Sequence, residues 1–146
     1  MSQAKELTFD DLIVGLEFPP VEYELGQNQV LEYVAAVDDL HPLYLDEEFT
    51  RGSKYGGLIS PPTIAAVFTT LRVVLKEAKI PPGAIHTKQY FKFIKPVRAG
   101  DKLDIIVTLK DKYIRRGRKY VVIESLVKNQ HGEEVVLARI TGIWPY

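Results

Sequence analysis

Ser60-Pro61-Pro62-Thr63-Ile64-Ala65-Ala66-Val67-Phe68-Thr69-Thr70-Leu71-Arg72-Val73-Val74-Leu75-Lys76-Glu77-Ala78 is the stretch on which the fold turns. Proline is tolerated in a first helical turn, and Ser60 stands where a side chain can cap the free amides there. Behind the prolines, Ile64, Val67, Phe68, Leu71, Val74, Leu75 and Ala78 recur at helical spacing. Ala65, Ala66 and Val73 leave little of the circumference polar until Arg72, Lys76 and Glu77. The expectation is one long helix, apolar enough to need enclosure on most sides.

From Ile85 onward the chain is strand-like and supplies that enclosure. Through Phe93, residues Ile85, Thr87, Gln89, Phe91 and Phe93 alternate with His86, Lys88, Tyr90 and Lys92. Pro96 to Asp101 reads as a turn. Leu103, Ile105, Val107 and Leu109 then alternate with polar neighbours, except that Ile106 breaks the pattern. Tyr120 to Val127 and Glu134 to Ile143 read as two more strands joined through Asn129-Gln130-His131-Gly132. Several strands are apolar on both faces, Tyr90 with Ile94 and Val122 with Leu126 among them. A second subunit is expected to cover part of that surface.

Upstream, Val21, Tyr23 and Leu25 alternate briefly as a strand. Gln27 to Val37 reads as a helix with Val30, Leu31, Val34 and Ala35 on one side, stopped by Asp38-Asp39. From Leu40 the chain loses regularity through Asp46, where Asp46 to Phe49 can form one turn, and then passes Gly52 and Gly56-Gly57. Long irregular excursions inside a compact chain are more often functional than idle.

At 146 residues, 46% of them hydrophobic, the chain is read as a single domain spanning 1–146. Nineteen basic and nineteen acidic side chains cancel, which gives no electrostatic case for nucleic acid or an anionic membrane. There is no cysteine, so disulfides and thiol chemistry are excluded. The three histidines, His41, His86 and His131, are too dispersed for a metal-ligand spacing, and no metal is expected. The N-terminal residues lack a signal-peptide apolar run and no segment reaches membrane-spanning length, so a cytoplasmic protein is expected.

Asp39-Leu40-His41-Pro42-Leu43-Tyr44-Leu45-Asp46-Glu47-Glu48-Phe49 and Tyr55-Gly56-Gly57-Leu58-Ile59-Ser60-Pro61-Pro62-Thr63 together resemble the signature loop of the MaoC-like dehydratases and hydratases. Phe91 to Leu103 resembles that family's strand and turn, and Asn129 to Glu133 its late hairpin. The resemblance spans roughly residues 10 to 143. It implies an α+β hot-dog fold, an antiparallel sheet wrapped round one long central helix. It also implies thioesters of coenzyme A or acyl carrier protein as substrate, with no further cofactor.

Two departures qualify the implied chemistry. In the family pattern an aspartate and a histidine activate water for reversible hydration of a 2-enoyl thioester. Asp39 matches the aspartate, but His41 stands at an asparagine position and Tyr44 where the catalytic histidine belongs. A phenol with a pKa of about 10 is a poor base at neutral pH. Pro61 and Pro62 replace the histidine and glycine at the helix start, and proline has no amide hydrogen to donate to a thioester oxygen.

Both departures resemble the N-terminal MaoC-like dehydratase branch, whose members pair with a complete hydratase half. The resemblance therefore implies one half of an (R)-specific enoyl-thioester hydratase or 3-hydroxyacyl-thioester dehydratase, shaping the acyl tunnel while a partner carries the aspartate and histidine. The expected assembly is a homo- or hetero-oligomer, a dimer or dimer of dimers with that catalytic subunit. Asp39 and His41 are the candidate catalytic residues, and Tyr44, Ser60, Thr63, Val67, Phe68 and Leu71 the candidate substrate contacts. Arg116 and Arg118, in the basic run Arg115-Arg116-Gly117-Arg118-Lys119, join them because the planar arginine fork suits the phosphates of coenzyme A. Other readings stay open: a self-sufficient hydratase using Asp39 with His41, a hot-dog thioesterase drafting Asp39 or Glu48, and a non-enzymatic acyl-thioester binder.

Overall fold

The computed structural model describes residues 5–146. Its frame is a five-stranded antiparallel sheet in the order β1-β3-β4-β5-β2, formed by β1 (Val21–Glu24), β2 (Ile85–Phe93), β3 (Lys102–Arg115), β4 (Arg118–Lys128) and β5 (Glu134–Trp144). This is the α+β hot-dog arrangement expected.

Register explains the one-sided core. Ile105, Val127 and Val136 stand in one cross-strand row, Val107, Ser125 and Ala138 in the next, and Leu109, Ile123 and Ile140 in a third. All nine side chains are buried. Alternation along each strand puts them on one face, and the small Ser125 and Ala138 leave room for whatever packs over the middle row. Ile64, Ala65, Phe68, Val74 and Leu75 fill the core that this face shares.

Those residues belong to a helical segment that is not one continuous helix. A short 3-10 turn, Pro62–Ile64, leads into α4 (Ala65–Phe68), and after Thr69-Thr70 the chain restarts as α5 (Leu71–Val74). Thr69 causes the break: its amide and its hydroxyl both donate to the Ala65 carbonyl, at 3.1 and 2.6 Å. Such side-chain back-bonding competes with helix propagation, and Thr70 turns out to an extended ψ of 153°. The apolar periodicity still buries the intended face.

A strict two-residue alternation along β2 also fails at one point. The pairing with β5 shifts between His86 and Lys88, leaving Thr87 as a bulge whose hydroxyl donates to the Thr141 carbonyl at 3.0 Å. A Cβ on Gly142 would meet the Ile85 carbonyl at 3.3 Å, so the two backbones close up at the bulge.

The two sides of the sheet end differently. On the β3 side, β1 pairs along Lys102 to Ile105, and the segment before it continues the cover, with Gly15 and Phe18 donating to the Leu109 and Val107 carbonyls at 2.9 Å each. On the opposite side β2 is exposed along nearly its whole length and has no further strand beside it among the described residues. Tyr90 and Ile94 are exposed there, whereas Val122 and Leu126 are half-buried on the outer face. Among the described residues, no helix is long and apolar enough to cross a membrane.

Candidate functional site

The irregular excursion after α1 (Gln27–Ala36) is built by polar side chains that serve their own backbone. Asp38 takes φ 54°, and the Asp39 amide donates back to the Val34 carbonyl at 2.9 Å, which ends α1. His41 Nδ1 accepts the Leu43 amide at 3.1 Å and so caps the short helix α2 (Pro42–Leu45). Asp46 Oδ1 accepts the Phe49 amide at 3.0 Å and caps α3 (Glu47–Arg51). Sequence reading anticipated one turn at Asp46 to Phe49, and the structure extends helical geometry to both sides of it.

The cap decides what His41 can do. A neutral imidazole accepting at Nδ1 carries its proton on Nε2, so the lone pair that a general base needs is already engaged. Protonation at Nδ1 would cost the α2 cap. Among the described residues no hydrogen bond joins Asp39 to His41, so the pair does not form the coupled acid and base of an imidazole–carboxylate dyad.

Tyr44 is no better placed for base chemistry. Its phenol is pushed above the ordinary tyrosine value, chiefly by burial, then by the negative charge of Asp39 and by Tyr55. The Tyr44 and His41 rings lie 5.7 Å apart, and Phe49 meets His41 edge-on at 6.5 Å. The loop thus gathers Asp39, His41, Tyr44 and Tyr55 in one neighbourhood where the imidazole is engaged by the backbone and the phenol is kept neutral.

The start of the helical segment differs from expectation at Ser60. Its amide and hydroxyl both donate to the Val97 carbonyl, at 2.8 and 2.5 Å, so Ser60 ties the loop to the turn before β3 instead of capping the helix. Pro61 holds the cap position without any side-chain hydrogen bond. Thr63 Oγ accepts the Tyr33 hydroxyl at 2.8 Å, linking this segment to α1. Beside the prolines lies a mainly apolar cavity of about 170 Å³, walled by Tyr55, Ile59, Pro61, Pro62, Phe93 and Val97.

Arg98 organises that cavity, and sequence reading assigned it no role. Its Nη1 donates to the Leu58 carbonyl at 3.1 Å and Nη2 to the Tyr55 carbonyl at 2.5 Å, which staples the glycine loop over the cavity wall. Gly57 permits this, because a Cβ there would come within 3.3 Å of Nη1. The turn residues around Arg98 were visible in the sequence. Its two acceptors, some forty residues upstream, were not.

The remaining sequence candidates scatter. Phe68 has no exposed surface and packs against Tyr23 at a ring distance of 5.8 Å. Val67 and Leu71 are partly buried against the same core, and none of the three walls the cavity beside the prolines. Arg116 and Arg118 sit at the β3–β4 turn. Val127, at the level of the cavity, is nine residues along β4 from Arg118, which is about 30 Å at strand spacing. Within one chain they do not reach this site.

A family model described as the FAS1-like dehydratase domain region matches residues 12–138. The UPF0336 protein of Streptomyces griseus is 34% identical over 140 residues, covering 90% of this chain and 92% of that protein. Among solved structures, a chain of the C-terminally truncated HadBC (3R-hydroxyacyl-ACP dehydratase) complex from Mycobacterium tuberculosis is 31% identical. It superposes with a TM-score of 0.73 over 90% of this chain and 96% of that one. The MaoC-like dehydratase from Rhodospirillum rubrum is 26% identical, with a TM-score of 0.78 over 94% and 96% of the two chains. On this match, and on the sheet and loop that carry it, the chain belongs to the FAS1-like dehydratase domain region family, MaoC-like proteins of the hot-dog fold.

Proposed function

We propose that this chain is the substrate-shaping half of a heteromeric (R)-specific enoyl-thioester hydratase or 3-hydroxyacyl-thioester dehydratase of the cytoplasm, and that a partner hot-dog subunit supplies the catalytic aspartate and histidine. The observation that carries this reading is the His41 cap: Nδ1 accepts the Leu43 amide, and the neighbouring Tyr44 phenol is held protonated. A site with a built apolar cavity, an engaged imidazole and a neutral phenol lacks the imidazole with which the family's aspartate would work, and so suits binding better than reaction. Pro61 and Pro62 add to this, since neither can donate an amide to a developing oxyanion.

The bare β2 edge supports a partner unlike this chain. Ile85, Tyr90, Phe93 and Ile94 are exposed along it, and Phe93 and Ile94 also border the cavity. The strand carries His86, Lys88 and Lys92 and no carboxylate. Two copies paired edge to edge would gather their lysines on one seam, whereas a strand bearing aspartate or glutamate neutralises them. The heteromeric HadBC complex, which one relative's chain belongs to, is in keeping with this.

The test is crotonyl-CoA hydration, read by loss of enoyl absorbance with free thiol followed in parallel. The isolated chain is expected to be silent, and a complex with a hot-dog subunit holding an intact aspartate and histidine is expected to turn over. Clear hydration by the isolated chain that is lost in Asp39→Asn would overturn the reading, and release of free thiol would replace it with a thioesterase.

A further inference from the structure

The β3–β4 turn concentrates basic side chains, of which Lys119 alone has an intrachain partner, its Nζ lying 5.7 Å from the centre of the Phe9 ring among the described residues. Arg115 pairs directly with Arg118, and Arg116 and Gly117 make the two-residue connection with φ of 51° and 74°. Positive φ at both central positions is the hairpin geometry that asparagine or glycine ordinarily occupies, so an arginine there is strained. Opposed like charges across Arg115 and Arg118 disfavour the turn further. Among the described residues, the ion pairs formed involve Lys5, Lys79, Lys95 and Arg139, and none of Arg115, Arg116, Arg118 or Lys119. On a chain of zero net charge, this tip is a cationic patch kept in spite of its local costs.

Topology shows whom the patch can serve. Ile85 pairs with Ile143, and Lys119 with Trp144, so the tip lies at the Ile85 end of the sheet. The cavity lies at the other end, beside Phe93. When the β2 edge pairs antiparallel with the matching edge of a similar subunit, the Ile85 end of one chain meets the Phe93 end of the other. From β4 across β5 and β2 to the partner's edge strand is three strand spacings, roughly 15 Å. The partner's cavity end is therefore within the span of an extended phosphopantetheine carrier.

We propose that the Arg115–Lys119 hairpin acts in trans, gripping the phosphate of the thioester's carrier while the acyl group occupies the partner subunit's catalytic site. This rests on the heteromeric reading above. The phosphate comes either from coenzyme A or from the phosphopantetheine arm of an acyl carrier protein.

The test compares wild-type complex with a complex carrying Arg116→Gly and Arg118→Ala, the glycine being chosen because it suits the positive φ. Crotonyl-CoA, crotonyl-acyl carrier protein and a phosphate-free crotonyl-pantetheine are the substrates. The variant is expected to raise KM roughly tenfold for one or both phosphate-bearing substrates at low salt, with kcat unchanged and the difference shrinking as salt is added. Which of the two responds identifies the carrier. Crotonyl-pantetheine is expected to show no change. An active complex whose KM is unaffected, or whose KM rises equally for crotonyl-pantetheine, would overturn the hairpin's role and leave the heteromeric reading standing. Failure of the wild-type chain to form an active complex would overturn both.

Discussion

Tyr44 stands where the resemblance places a catalytic histidine, and its surroundings keep the phenol neutral. Burial and the Asp39 carboxylate both favour the neutral phenol. Replacing the charge should therefore act in one direction: Asp39→Asn lowers the Tyr44 pKa toward its ordinary value, read from phenolate absorbance during an alkaline titration. A Tyr44→Phe control identifies the signal. An unchanged or raised midpoint would show that Asp39 does not face the ring. His41 tells a related story, because it was legible as a candidate base and is spent on an amide two residues away, just as Asp46, read only as the start of a turn, caps the next helix. Arg98 is the converse, an unremarked turn residue that holds the cavity wall through the Tyr55 and Leu58 carbonyls.

The elements follow their patterns except where a side chain competes with the backbone. The apolar stripe from Ile64 to Leu75 names the buried face correctly, yet Thr69 breaks the helix by bonding twice to the Ala65 carbonyl. Phe68 is the anchor of the first half, fully buried against Tyr23 and the sheet core. Phe68→Ala is expected to cost about 3–5 kcal/mol in a denaturant midpoint series, from lost transfer energy and the cavity left behind. A loss below about 1 kcal/mol would mean that the site collapses or that the ring is solvated. Strand β2 obeys alternation only from Lys88 onward, since the bulge at Thr87 resets the faces.

For the whole molecule, the bare β2 edge and the contact between residues 7–9 and the C-terminal residues make separate demands. If Lys88 and Lys92 face an acidic partner strand, Lys88→Glu with Lys92→Glu should weaken heteromer association by at least tenfold at low salt, measured by sedimentation, without lowering the melting temperature of the isolated chain. Undiminished association would place the interface elsewhere. The segment Leu7 to Phe9 meets the C-terminal residues through Trp144 Nε1 donating to the Leu7 carbonyl at 2.7 Å and the Phe9 amide donating to the Tyr146 carbonyl at 2.8 Å. Nearby, the Asp11 carboxylate is held down to about 2 from an ordinary 3.8, first by the Thr8 amide, then by the Thr8 hydroxyl and Lys5. Its folded pKa lies below its unfolded value, so its stabilisation is complete above pH 3.8 and is lost as pH falls through about 2. Asp11→Asn should flatten that part of the acid unfolding curve, and an identical acid limb would show that Thr8 and Lys5 do not hold the charge.

Sequence alone determined the order of the strands along the chain, the buried faces of the helical segment and of β3, and the absence of a histidine at Tyr44 and of amide hydrogens at Pro61 and Pro62. These are properties of spacing and residue chemistry, which survive any arrangement of the chain. Tertiary structure alone decided that Ser60 ties to Val97 and that Arg98 reaches Tyr55 and Leu58. It also placed the Arg116 turn at the opposite end of the sheet from the cavity. Those facts depend on which distant segments become neighbours, and a hydrogen bond spanning some forty residues leaves no local period to read.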